Sequence, residues 1–181
     1  MERSIQEFAQ LKKYDLHSHL GTTRSGEKNS ARQMVEELSS YNVQKVGIVS
    51  LSGNSYQEQN ELVYQAKLEF PDFVEGYADI DPKDPGAFDE VNRTLGDFKF
   101  NGVKFMPWKH GYSCDNCPPL GDVLDEIGKY GRQVQVHVGQ SPLCTPFVWI
   151  DHALRRPDMR FVFTHMGSRE LGFTTLTAIK D

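Results

Sequence analysis

The sequence predicts an α/β fold of the TIM-type (β/α) barrel class, incomplete, with about six of the eight strand–helix units such a barrel needs. Three observations predict it. Short apolar, β-branched runs alternate with amphipathic helical stretches. Strand starts recur roughly every 30 residues, the length of one strand–helix–strand unit. Four histidines fall at the ends of three of those strands: His17 and His19, His137, and His165. Alternation of this kind makes a parallel sheet covered by helices. An open doubly wound sheet would also alternate, but it gathers its site at one switch point and usually carries a glycine-rich phosphate loop, which is missing here. A barrel draws its site from the C-terminal ends of several strands.

Taken in order, Tyr14 to Leu20 reads as the first strand and Gly21 to Lys28 as a polar loop. Ser30 with Gln33 forms a capping box, and Ala31, Met34, Val35 and Leu38 then line one helical face at i, i+3, i+4 and i+7. Val46 to Leu51 is a buried strand by its apolar run. Ser55 with Glu58 repeats the capping box before a helix whose face is Leu62, Val63, Ala66 and Phe70, stopped by Pro71. Phe73 to Ile80 is the third strand, Phe88, Val91 and Leu95 mark the third helix, and Asn101 to Phe105 is the fourth strand. Leu120, Val123, Leu124 and Ile127 give a helix that Gly131 caps. Val134 to His137 is the fifth strand. Phe147, Ile150 and Leu154 mark a helix closed by Arg155, Arg156 and Pro157, the sixth strand ends at His165, and a weak helical stretch runs to Asp181.

The 181 residues fit one domain, 1–181, large enough to bury a core. A formal net charge of -5 and a pI near 5.7 leave no basic footprint for nucleic acid. No apolar run approaches the roughly 20 residues of a spanning helix, and Met1 to Gln10 lacks the apolar segment of a signal peptide. A cytoplasmic protein, with no membrane partner, is therefore expected. Cys114, Cys117 and Cys144 are an odd set in a chain without an export signal, so free thiols are expected. Cys114 and Cys117 near His110 spell Cys-x-x-Cys, but one such pair makes no zinc site by itself.

The histidines carry the chemistry. Side chains alternate along a strand, so His17 and His19 project from one side and can converge on one ion at about 2.0 to 2.1 Å each. An isolated pair of this kind reads equally well as a polar strand end. Recurrence at His137 and His165, each closing an apolar run, makes it a constellation. His152 falls on a helix and reads as a packing or surface histidine.

The segments Asp15-Leu16-His17-Ser18-His19, Gly102-Val103-Lys104-Phe105-Met106-Pro107-Trp108, Val136-His137-Val138-Gly139 and Phe163-Thr164-His165-Met166-Gly167 occur in that order. Together they resemble the amidohydrolase superfamily, and within it the mononuclear amidohydrolase-2 branch that includes aminocarboxymuconate-semialdehyde decarboxylase relatives. The resemblance implies that His17, His19 and His137 are metal ligands and that His165 is the catalytic histidine that activates water. It makes Asp15 a strand-end hydrogen-bonding residue. Lys104 and Trp108 are candidate substrate-binding residues: Lys104 reads as an uncarboxylated lysine that pairs with an acidic group or a substrate carboxylate, ahead of the carboxylated lysine of binuclear branches, and Trp108 at the pocket mouth reads as core or rim packing first and as a substrate-stacking ring second. The family's eighth-strand aspartate has no counterpart in these residues, which stop short of a seventh strand. The expectation is therefore an open part-barrel holding half of the ligand set, with turnover weak or absent.

Three imidazoles suit zinc or a similar divalent ion and leave a position open. Such an ion lowers the pKa of water from 15.7 to about 7 or polarises a substrate oxygen. The reading is a metal-dependent hydrolase of a small amide, lactone or ester, with one divalent ion, zinc by preference, and a small-molecule substrate. The alternatives are a metal-dependent non-oxidative decarboxylase or an inactive incomplete copy. The polymerase and histidinol phosphatase family shares a similar first motif, but it would place an Asp-His pair where this chain has Ser50-Leu51-Ser52-Gly53. A homo-oligomer is left open.

Overall fold

The structure, a computed structural model, describes Glu7, residues 9–22, Gly26, residues 28–139 and residues 142–165. The expected helical stretch after His165 lies outside the described residues. The chain forms two compact units, Met1–Tyr77 and Ala78–Asp181.

In the first unit, β1 (Lys13–Thr22) pairs in parallel with β3 (Val43–Ser50), which pairs in parallel with β4 (Val74–Asp79), a strand whose last two residues begin the second unit. Val46, Ile48, Val49 and Ser50 of β3 are all fully buried, as a strand covered on both faces must be. Part of the expected first loop is a strand instead. Gly21 and Thr22 pair antiparallel with Asn29 and Lys28 of β2 (Lys28–Asn29), which satisfies backbone groups beyond the parallel ladder.

Two helices cover this sheet. Ser30 caps α1 (Ala31–Ser40) in a full capping box with Gln33, and Met34 is its buried residue. Ser55 caps α2 (Tyr56–Glu69) by accepting from Glu58 N, but the Glu58 side chain accepts from Asn54 N at 2.7 Å. The second capping box is thus only half made. The buried face of α2 is Tyr56, Gln59, Asn60, Val63 and Ala66; Leu62, expected inside, is 46% exposed.

In the second unit, β5 (Gly102–Phe105), β6 (Gln133–His137) and β7 (Phe161–Thr164) run parallel and in register, Phe105 beside Val136 beside Phe163. Helix α3 (Ala87–Val91) runs on into a π-helical turn at Asn92–Asp97. Pro107–His110 forms the single turn α4. The face of α5 (Pro118–Gly128) is as expected, with Leu120, Val123, Leu124 and Ile127 fully buried, and Gly131 beyond it has φ +60. Helix α6 (Phe147–Leu154) packs through a different face from the expected one. Trp149 is fully buried against the rings of Phe105 and Phe161, while Phe147 and Leu154 are exposed. One indole has enough apolar area to decide which side of a two-turn helix faces the core.

A close backbone approach in the first unit is at Gly47. A Cβ there would meet Leu16 O at 2.6 Å and Tyr77 Cε2 at 2.8 Å, and the carbonyl belongs to a strand that cannot shift alone. Gly47→Ala is expected to lower stability by about 1–3 kcal/mol, the usual cost of overpacking, as read from urea denaturation midpoints.

Candidate metal centre

His17 and His19 owe their placement to a break in strand regularity. The pairing of β1 with β3 slips between Asp15, opposite Val46, and Ser18, opposite Ile48. One extra residue on β1 makes a bulge, a device that re-aims side chains. Asp15 stabilises it, since Oδ1 accepts from His17 N at 3.0 Å and Oδ2 from Ser18 Oγ at 2.6 Å. That matches the hydrogen-bonding part expected of Asp15. His17 lies within the bulged stretch and His19 just past it, and their rings stand edge to face with centroids 4.5 Å apart, both half-buried. Asn29 Nδ2 donates to His19 O at 3.2 Å, so the added strand β2 ties down the same point.

The second unit carries the other pair. His137 closes β6 and is buried. Its ring lies 4.6 Å from that of His165 and 5.7 Å from that of Trp108, centroid to centroid. His165 follows β7 directly and is held at φ +63, a left-handed conformation in which L residues are strained and which recurs at functional sites. Partial burial, then the Lys104 charge, lower the His165 pKa to about 4. The neutral form of the ring is thereby favoured.

Lys104 is fully buried on β5. Its Nζ donates to Thr164 Oγ1, and that hydroxyl donates to Val136 O at 3.0 Å. Burial lowers its pKa from 10.5 to about 7, against the opposing pull of Asp79 and Cys144. Such a group titrates in the neutral range instead of standing as a permanent cation.

Sequence reasoning missed Asp79, at the end of β4. It is fully buried and binds Lys109 Nζ through Oδ2 and His110 Nε2, at 2.9 Å, through Oδ1. The available signal was a lone carboxylate inside the apolar run Tyr77-Ala78-Asp79-Ile80. His110 is thereby engaged away from the Cys-x-x-Cys segment. All three cysteines are free and buried, and burial pushes the Cys114 and Cys117 thiols up. His152 is a packing residue, with its ring 5.9 Å from that of Trp149 and Nε2 3.3 Å from Cys114 O.

Within either unit taken alone, no three His, Cys, Asp or Glu side chains among the described residues gather closely enough to hold an ion. The candidate donors come as two imidazole pairs. Neutral imidazoles fit a borderline divalent ion, which binds nitrogen donors well. Among the described residues no helix is long and apolar enough to cross a membrane.

A family model described as amidohydrolase matches residues 27–175, a span that holds His137 and His165 and begins after His17 and His19. None of the curated proteins matches the sequence. Solved structures do match in fold. A protein assigned as an amidohydrolase from Staphylococcus aureus aligns with TM-score 0.70 at 14% identity, over 87% of this chain and 68% of its own. The 5-carboxyvanillate decarboxylase of Novosphingobium aromaticivorans, solved with manganese and 4-hydroxy-3-methoxy-5-nitrobenzoic acid, aligns with TM-score 0.69 at 12% identity, over 94% and 69%. A protein assigned as 2-pyrone-4,6-dicarboxylic acid hydrolase from Acinetobacter baumannii, with citric acid bound, aligns with TM-score 0.66 at 17% identity, over 93% and 65%. These likenesses show the fold class, an α/β TIM-type (β/α) barrel, incomplete, of which the described residues supply six parallel strands.

The buried lysine makes stability depend on pH. Its folded pKa of about 7 lies below the unfolded 10.5, so between these values the unfolded chain holds the extra proton and stability rises with pH. The rise is at most about 1.4 kcal/mol per pH unit for one group. Lys104→Met is expected to flatten this part of the profile between about pH 7 and pH 9, measured as the difference between the two chains in denaturation midpoint.

Proposed function

We propose, from the premise that this chain belongs to the amidohydrolase family, that it is a metal-dependent hydrolase of a small carboxylated amide, lactone or ester. The observation that carries the reading is the facing of strand-end imidazoles in pairs, His17 with His19 and His137 with His165. The proposal assigns His17, His19 and His137 as the ligands of one divalent ion, zinc or manganese.

When bound, that ion supplies a Lewis acid that draws electron density from an oxygen. The chain's own residues do the rest. Asp15 fixes the bulge that aims His17, and the register of β6 with β7 sets His137 beside His165. A ring nitrogen of His165 takes a proton from the attacking water as its oxygen bonds to the substrate carbonyl. The same nitrogen then delivers the proton to the leaving nitrogen or oxygen as the old bond breaks. Trp108 offers a flat apolar wall next to His137, and Lys104, enclosed beside Thr164, is assigned as the partner of a substrate carboxylate.

Decarboxylation is the second reading, favoured by the fold likeness to the carboxyvanillate enzyme at TM-score 0.69. There a ring nitrogen of His165 would instead take the proton of the substrate carboxyl and deliver it to the carbon as the bond to carbon dioxide breaks. Assaying the zinc- or manganese-loaded chain on lactone dicarboxylates and on hydroxybenzoates separates the two. Ring opening without gas release is expected. Carbon dioxide release would replace hydrolysis by decarboxylation, and neither reaction from an ion-loaded chain would remove both.

His17→Ala and His137→Ala are each expected to abolish stoichiometric metal, counted by elemental analysis after gel filtration. His165→Asn should keep the metal and lower kcat by about 10²- to 10⁴-fold, the usual contribution of a general acid or base. Metal loss from His165→Asn as severe as that from His137→Ala would make His165 a ligand.

A further inference from the structure

The mechanism above gives no part to Asp79, yet this buried carboxylate has both oxygens engaged by consecutive residues of α4, Lys109 and His110. Two more residues of the segment after β4 grip the same turn. Asp81 Oδ2 lies 3.6 Å from His110 Nδ1, and Lys83 Nζ donates to His110 O at 2.6 Å. Helix α4 is one turn of four residues, ended by Gly111 in the left-handed conformation. A helix that short has no stability of its own, so the ties made by its side chains set its orientation. Trp108 immediately precedes Lys109 in this turn, and its ring is the one packed against His137.

We propose that Asp79 is a positioning residue: through Lys109 and His110 it fixes the α4 turn and so holds the Trp108 ring against His137. The inference rests on the reading of Trp108 and His137 as site residues. Asparagine at position 79 would keep an acceptor but lose the charge that holds two basic side chains together, and α4 would lose its anchor. Lys109 is the outer member of the clamp, 22% exposed at its side chain, whereas Asp79 is enclosed.

The indole reports on this directly, because an adjacent imidazole quenches its emission once protonated, so intensities are compared near pH 5 as well as near pH 7. Trp108 emission is obtained in the full chain, without added metal, by difference against Trp108→Phe, which leaves the Trp149 signal as the blank. Asp79→Asn is expected to raise Trp108 intensity toward that of His137→Leu and to increase its quenching by acrylamide about twofold, with the far-ultraviolet circular dichroism of the parent. Lys109→Met should move both readings the same way, and the double variant should add nothing to the larger single effect. Unchanged Trp108 emission in a folded Asp79→Asn chain overturns the proposal. If that variant does not fold, unchanged emission in Lys109→Met overturns it. Metal content measured on the same samples separates this inference from the functional one. A parent chain that binds no ion removes the metal-site reading while the Trp108 result stands, and Asp79→Asn that retains its ion but frees Trp108 shows positioning apart from ligation.

Discussion

The in-register pairing of β5, β6 and β7 governs the second unit. Once Phe105, Val136 and Phe163 lie side by side, His137 is opposite Thr164, His165 falls one residue beyond the ladder, and Lys104 is carried inside with Gln135 beside it. A buried ammonium is costly. The structure offsets this with an acceptor, Thr164 Oγ1, and with the charge of Asp79. The remaining imbalance appears as a lysine that titrates near neutrality. A slip of one residue would turn every one of these side chains to the opposite face, so site and core are specified by the same hydrogen bonds.

The first unit reaches a comparable result by departing from regularity. Perfect alternation would already place His17 and His19 on one side of β1, but the strand carries a bulge between Asp15 and Ser18 that takes in His17. Asp15 occupies both of its oxygens in holding that bulge, and Gly47 leaves room on β3 for the carbonyl of Leu16. The three positions form one device. The carboxylate stabilises the irregular backbone, the glycine admits it, and the imidazoles are aimed by it.

Periodicity made much of this legible in the sequence. The parallel strands, the Ser30 cap of α1 and the fully buried face of α5 follow from local patterns that need no knowledge of partners. The face of α6 did not, because spacing ranks Phe147, Ile150 and Leu154 equally with any other apolar set, and the burial of one indole outweighs them. The bulge at Asp15 is a property of register, which exists only between two strands. The grip of Asp79 on His110 joins residues 31 apart, and a carboxylate in an apolar run signals that a partner exists without saying which. Trp108, Lys109 and His110 are adjacent letters whose shared role emerges only when the turn they form is seen to be tied from β4.

Hydrolysis and decarboxylation in such a site differ less in their catalytic groups than in where one proton is delivered. Under either reading a ring nitrogen of His165 carries it, to a leaving oxygen or nitrogen in one case and to a carbon in the other. The residues that move protons and hold an ion therefore serve both reactions equally. Selection between them falls to the groups that present the substrate, since a bond breaks only if it is held at the reacting position. Under the proposed reading Trp108 is such a group, a flat wall beside His137 on a turn with little stability of its own. Under that reading its orientation is set from the end of β4, through Asp79, and the choice of reaction would rest with residues outside the histidines that make the chemistry recognisable.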